Sequence, residues 1–252
     1  MAVISAHVDP GDAMACLAGF AERANRVADL VGLAGLVAEM ARDLGFAHHA
    51  LAEHGEPADG CLFLHDYPGR WADAFIARAM HRFDPVRQAA ARRVGGFGWR
   101  ELPRLVTLEP CQRAMMSEAC DIGLGEGFTV PLHAPGMRVA SCSFVCPPGE
   151  PLPRHALPAA ECLAYLAFGA AHRLLGVRWS RPRLTARQRQ CVALVSQGKT
   201  DWEIGVILGL SEETVGKYLD AARMRFGVAR RTQLVAAALV AGEIGADPAE
   251  WL

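Results

Sequence analysis

Lysine is almost missing from this chain: of 252 residues only Lys199 and Lys217 are lysine, among 26 Lys plus Arg. Long apolar runs are missing too. No window approaches the roughly 18 uninterrupted apolar residues of a membrane-spanning helix, so no membrane partner is expected. The first apolar stretch, around Met14 to Phe20, follows Asp9 and Asp12 rather than a basic segment, which argues against a secretory signal and for a cytoplasmic chain. Paired cysteines are absent. None of Cys16, Cys61, Cys111, Cys120, Cys142, Cys146, Cys162 and Cys191 forms a CxxC motif, and His48-His49 has no cysteine at finger-like spacing. Zinc and disulfide frameworks are therefore disfavoured, and the eight thiols are expected as small buried hydrophobes in a reducing compartment. A G-x-S-x-G elbow, a clustered metal-ligand pattern and an evident nucleophile–base pair are lacking as well, so an enzyme such as a hydrolase is not expected, nor a cofactor.

What is there suits folded domains. The chain is 52% hydrophobic and 21% charged, enough apolar surface to offset the entropy of ordering. Its net charge of −1 hides a separation. Residues 1–172 hold 14 Arg and no Lys against 19 acids, a balance of −5, whereas residues 173–252 hold 10 Arg and 2 Lys against 8 acids, a balance of +4. Such asymmetry points to contact between the basic part and a polyanion, although a solvated Arg-rich face has the same composition.

In the amino-terminal part, 13–44 has helical spacing with few breakers. Segments 46–53 and 60–66 read as strands separated by a turn. Residues 70–82 return to helical period, 109–121 follow as another helix closed by Gly123, and 126–133 and 137–146 read as strands joined by Ala134-Pro135-Gly136. Pro131 marks an edge or bulged position. A last helix covers 155–175. Helices, strands and helices again predict an α+β fold with an α-β-α sandwich around an antiparallel sheet, over residues 1–175. The basic stretch 176–183 reads as a linker.

Residues 184–252 read as a second, all-α domain of four helices. Thr185 with Gln188, and Thr200 with Glu203, form capping boxes. Gly198 closes the first helix, Gly209-Leu210 turns the chain after Leu208, Ser211 caps a third helix to Phe226, Gly227 closes it, and Thr232 caps a fourth. The inward set is Val192, Val195, Ile204, Ile207, Leu208, Leu210, Val215, Leu219, Phe226 and Val228. A helix, a tight Gly-containing turn and a second helix make a helix-turn-helix, whose second member enters the major groove. Glu212, Glu213, Thr214, Lys217, Tyr218, Arg223 and Arg225 lie outward on or near that member. The same four helices could instead dock protein.

This stretch resembles the DNA-binding domain of LuxR-type regulators, a GerE-like tetrahelical helix-turn-helix. The resemblance runs through Leu184-Thr185-x-Arg187, Gly198-Lys199-Thr200, Glu203-Ile204, Leu208-Gly209-Leu210-Ser211, Thr214-Val215 and Phe226-Gly227-Val228 with Arg231. It implies DNA as partner, with Thr200 among the DNA-binding residues and Lys199, Lys217, Arg223, Arg225, Arg230 and Arg231 toward phosphates. Gln188 departs from the family's usual Glu, and Gly216 and Tyr218 from its common cation and His.

In the amino-terminal part, Tyr67, Trp71 and Phe75 repeat every four residues ahead of Asp84-Pro85 and Trp99. An indole only donates, an ionised Asp only accepts, and a phenol does both. That set matches a ligand with a carbonyl, an amide N–H and an apolar tail; the spacing equally describes an aromatic core stripe and an Asp capping a turn. With Gly127 in GEGFTVPLH, these residues resemble the autoinducer-binding domain of quorum-sensing LuxR-type receptors, PAS/GAF-like sandwiches that hold N-acyl-homoserine lactones. The resemblance implies that Trp71 donates to the lactone carbonyl, Asp84 accepts from the amide N–H, and Tyr67 donates to the acyl carbonyl. It also implies that Trp99 packs near the ring, Gly127 allows close backbone approach, and Ser141 sets a hydroxyl beside the amide. Phe75 stands where the family usually has Tyr, which keeps the ring and loses a hydroxyl.

The resulting expectation is a transcriptional regulator that senses an acyl-homoserine lactone and binds a dyad-symmetric site as a homodimer, with RNA polymerase as a further partner. The rival readings are a solo regulator with another ligand or none, an antiactivator, and a lactone hydrolase.

Overall fold

The computed structural model describes residues 10–55, 61–134, 137–176 and 184–245, which cluster into two compact units. The turns expected at 54–60 and 134–136 and the 176–183 linker fall wholly or largely outside the described residues.

The helix expected over 13–44 is two helices, α1 (Pro10–Arg26) and α2 (Leu30–Asp43). No glycine or proline marks the break. Asp29 makes it, with an extended backbone and a side chain that accepts from Gly32 N at 2.8 Å. Next come β1 (His48–Glu53), β2 (Phe63–His65) and α3 (Gly69–Ala77), which stops short of the expected residue 82. Ala79 there turns left-handed (φ 48°) and a single 3-10 turn, Met80–Arg82, drops Met80 into the core. Residues 85–105 hold three short elements not foreseen from periodicity: α4 (Pro85–Ala90), β3 (Phe97–Gly98) and α5 (Leu102–Leu105). Then follow α6 (Pro110–Asp121), β4 (Gly127–Leu132), β5 (Ala140–Val145) and α7 (Leu157–Leu174).

The five strands form one antiparallel sheet in the order β2-β1-β5-β4-β3. Successive side chains of a strand alternate between faces, and here the alternation sorts them by size. Leu51, Cys142 and Phe144 face one way, with Glu53, which meets His172 of α7. Ala50, Ala52, Ser141 and Ser143 face the other way, toward α3 and α4. One face is thus filled by its own large residues and closed by α7. The other is lined by small ones and leaves room.

Pro131 is edge-like without lying on an outer strand. The carbonyl of Glu126 accepts from Cys146 N, so even-numbered residues of β4 bond to β5 and odd-numbered ones face β3. Strand β3 pairs only with Phe128 and Thr129 and has ended before Pro131, so the missing N–H costs no ladder bond. The Pro131 carbonyl on that side accepts from the Tyr165 hydroxyl at 3.4 Å.

The second unit is four helices, α8 (Ala186–Ser196), α9 (Asp201–Leu208), α10 (Glu212–Phe226) and α11 (Arg231–Val240). Both capping boxes form: Thr185 and Gln188, then Thr200 and Glu203, exchange their side-chain and backbone bonds. Ser211 accepts from Thr214 N, and Gly198, Gly209 and Gly227 all take left-handed backbones. Thr232 does not cap α11. The helix begins one residue earlier, and Gln233 reaches back to accept from Arg230 N at 2.9 Å. Nine of the ten inward residues are buried or packed on the core; Ile207 is instead 49% exposed. Helix α9 has only two turns and buries Ile204 and Gly205, which turns Ile207 outward. The cysteine expectation holds for Cys142, Cys146 and Cys191 alone. Cys16, Cys111, Cys120 and Cys162 are exposed and Cys61 is half-buried, because each helical one sits off its helix's buried stripe.

Candidate functional site

The small-residue face of the sheet is roofed by α3, α4 and α6, leaving a cleft of about 650 Å³, part of it open to solvent. Tyr67, Trp71, Phe75, Asp84, Trp99 and Ser141 all line it. Gly127 does not; its role is one step removed. A Cβ there would lie 2.3 Å from Cε2 of Trp99, so the glycine lets that indole lie flat against β4. Fixed in this way, Trp99 Nε1 donates to Thr129 Oγ1 at 2.9 Å. Thr129 and Ser143 hydroxyls share a 2.8 Å bond, and Ser143 also bonds the Tyr67 hydroxyl. The result is a chain of polar groups along one wall of an apolar cleft.

Trp71, 4% exposed, packs among Met80, Met115, Ala119, Leu124 and Val145. Its spacing therefore reads both ways, as core stripe and as cavity wall. Among the described residues its indole N–H has no acceptor, which leaves a donor available on a residue that lines the cleft. Asp84 is both things too. It caps α4, accepting from Val86 N at 2.8 Å, and it lines the cleft at 8% exposure. Burial pushes its carboxyl above the usual range, opposed by Arg87 and by the backbone N–H groups of Val86 and Arg87. A carboxylate has about four acceptor positions, so the cap leaves capacity for a ligand N–H. Burial likewise raises the Tyr67 phenol, with Asp84 adding to it, so Tyr67 stays a neutral donor.

Sequence reading missed Thr129, Ser143, Arg87 and His54. Only Ser143 carries a signal: Ser141 and Ser143 are two apart, like Ala50 and Ala52 across from them. His54 is a long-range surprise. Its Nε2 lies 2.8 Å from Ser141 Oγ, so the structure contains a hydroxyl–imidazole contact between residues 87 apart that spacing alone does not reveal. Burial, with Arg87 and His133 adding, holds His54 down to about 3. An imidazole with that affinity is a poor proton acceptor at neutral pH, so the contact positions a hydroxyl and does not activate it.

In the second unit the exposed stripe of α10 carries Glu213, Lys217, Asp220 and Met224, with Val215, Leu219 and Ala222 on the buried side. Lys217 Nζ is 2.8 Å from Glu213 Oε1. Thr214 is half-buried, its hydroxyl 2.8 Å from that of Ser211, and Glu212 is exposed at the helix start. Tyr218 packs partly on the core. Thr200, Arg225 and Arg230 are exposed, and Lys199 is half-buried. Three of the expected phosphate-contacting cations are engaged inside the domain, Lys217 by Glu213 and two arginines likewise. Arg223 holds Asp220 and the Ala229 carbonyl, and Arg231 holds Asp201 and the Lys199 carbonyl. Gly205 explains the tight turn: a Cβ there would lie 2.7 Å from the Leu210 carbonyl oxygen.

Two family models match. Residues 30–172 match an autoinducer-binding domain, and residues 182–238 match the bacterial regulatory proteins of the luxR family. The transcriptional activator protein BjaR1 of Bradyrhizobium diazoefficiens is 33% identical over 174 residues, 69% of this chain and 72% of that protein. The quorum sensing-dependent transcriptional regulator RpaR of Rhodopseudomonas palustris is 34% identical over 179 residues, covering 71% and 73%. Among solved structures, SdiA in complex with octanoyl-rac-glycerol superposes with a TM-score of 0.68 at 20% identity, covering 91% of this chain and 96% of the other. CepR2 of Burkholderia cenocepacia superposes with a TM-score of 0.56 at 15% identity, over 66% of this chain and 99% of that one. Both share the fold. No helix among the described residues is long and apolar enough to cross a membrane.

Proposed function

The chain belongs to the LuxR family, joining an autoinducer-binding domain to a DNA-binding domain, and from that premise we propose that it senses an N-acyl-homoserine lactone and binds a dyad-symmetric DNA site as a homodimer. The observation that carries the reading is one cleft in which an unpartnered indole N–H, a buried carboxylate and two hydroxyls converge among apolar walls. Trp71 donates to the lactone carbonyl, Asp84 accepts from the amide N–H, and Tyr67 and Ser141 meet the acyl carbonyl. These are the polar groups of such a ligand, and the rest of the cleft suits its alkyl part. Ligand binding completes the core of the sensor domain and stabilises the folded chain by mass action. The dimer then presents two copies of α10 to two half-sites, because operator symmetry follows protein symmetry. The chain acts by binding and not by catalysis, in the cytoplasm, with RNA polymerase as the downstream partner.

A thermal-shift panel of acyl-homoserine lactones on the full chain tests this. A member present at 100 times its Kd stabilises the fold by about 2.7 kcal/mol, and its ring-opened form, which lacks the lactone carbonyl geometry, does not. Absence of stabilisation by every lactone overturns the reading. A second reading, an antiactivator, draws on the acidic start of α10, where Glu213 already holds Lys217. It predicts a lactone-bound dimer that shifts no palindromic DNA at low salt.

A further inference from the structure

Arg87 also lines the cleft. It sits one turn after Asp84 on α4, and only 14% of its side chain is exposed. The guanidinium lies over the Phe75 ring, 5.5 Å from its centroid. The nearest carboxylate oxygen, Oδ2 of Asp84, is 3.9 Å from Nε, beyond hydrogen-bond reach. Among the described residues none of its N–H groups meets an acceptor, and burial pulls the guanidinium below its ordinary range. Asp84 offsets the charge without satisfying the donors, and buried donors left unmet are costly.

The cavities say where that something lies. A second compartment adjoins the first, and the two share Phe63, Phe75 and Arg87 as their common wall. Arg87 therefore stands at the passage from the head of the cleft to its tail. If Asp84 receives the ligand amide N–H, the guanidinium beside it reaches the first carbons of the acyl chain. Phe75 contributes packing and no hydroxyl, so it cannot satisfy the arginine.

We infer that Arg87 is a specificity-determining residue that selects acyl groups bearing an oxygen acceptor, keto or hydroxyl, just beyond the amide. Plain alkyl chains would leave the guanidinium N–H donors without an acceptor, with Asp84 Oδ2 at 3.9 Å balancing only the charge. The inference rests on the lactone reading above and deepens it.

The test compares octanoyl-, 3-oxo-octanoyl- and 3-hydroxy-octanoyl-homoserine lactone for binding to the full chain by calorimetry. A hydrogen bond to a charged donor distinguishes ligands by about tenfold or more. The wild type is expected to bind at least one oxygenated ligand about tenfold more tightly than octanoyl. Arg87→Met keeps length and removes the donors; it should abolish or reverse that ratio while retaining octanoyl binding. Arg87→Lys keeps charge and one donor direction, and should fall between, which guards against a methionine variant that folds poorly. Equal binding of all three by the wild type overturns the inference and leaves the lactone reading standing, as does an unchanged ratio in both variants. Binding of none by the wild type overturns both.

Discussion

Replacing Asp84 with Asn separates the two duties of this residue. In the folded chain its carboxylate accepts from Val86 N at 2.8 Å and starts α4. Asn caps helices about as well as Asp, so that duty survives. The substitution also removes a buried charge whose protonation burial already favours. Both variants lose the charge that faces Arg87, and Asp84→Ala also loses the cap, so stability without ligand should be lower for Ala than for Asn by about 1 kcal/mol, or roughly 2–4 °C for a chain of this size. Ligand affinity moves differently. A hydrogen bond to a charged acceptor is worth about 1.5–3 kcal/mol and a neutral one about 0.5–1.5, so Asn weakens lactone binding by about 1–1.5 kcal/mol, or roughly fivefold to tenfold. Melting of both variants with and without lactone, together with calorimetric Kd values, measures each part. An Asn variant that binds lactone unchanged would show that Asp84 has a structural role and no ligand contact.

Three further outcomes follow from the geometry. His54 is held at about 3 against an ordinary 6.5, so its contribution to stability is complete above pH 6.5 and is lost as pH falls toward 3; between pH 7.5 and 5.0 urea melts should lose about 2 kcal/mol, and His54→Gln should flatten that slope. Gly205→Ala forces a Cβ against the Leu210 carbonyl and should cost about 1–3 kcal/mol, whereas Gly216→Ala meets only Asp201 Oδ2 at 4.0 Å and should gain up to about 1 kcal/mol; equal melting temperatures for the pair would refute the packing argument. Gly127→Ala drives a Cβ into Trp99 and breaks its bond to Thr129, so indole fluorescence and lactone affinity should both change, with a stability cost of about 1–3 kcal/mol.

The first three carboxy-terminal helices are legible almost to the residue because their ends are written in local chemistry, unlike the start of α11, where Thr232 is not the cap. Thr185, Thr200 and Ser211 start them and Gly198, Gly209 and Gly227 stop them. Gly205 was not legible as essential, since its constraint comes from the Leu210 carbonyl across the turn. In the sensor domain the long elements were readable from period, but β3 has two residues and α5 four, too short to show one. The break at Asp29 was hidden for lack of a glycine or proline. Of the candidate site, Trp71, Asp84 and Tyr67 stood out as unusual polar–aromatic residues. Thr129, Ser143 and His54 did not, because their roles arise from cross-strand register and from a contact 87 residues apart. Arg223 and Arg231 looked like free cations in sequence; only the fold shows that Asp220 and Asp201 hold them.

The most direct measurement is mass spectrometry of small molecules released from the full chain purified out of cells supplied with mixed acyl-homoserine lactones. One lactone should be recovered at about one per chain from the wild type, and much less from Asp84→Ala prepared in parallel. Recovery of no lactone from folded wild-type protein, or equal recovery from both, would contradict the proposed lactone site.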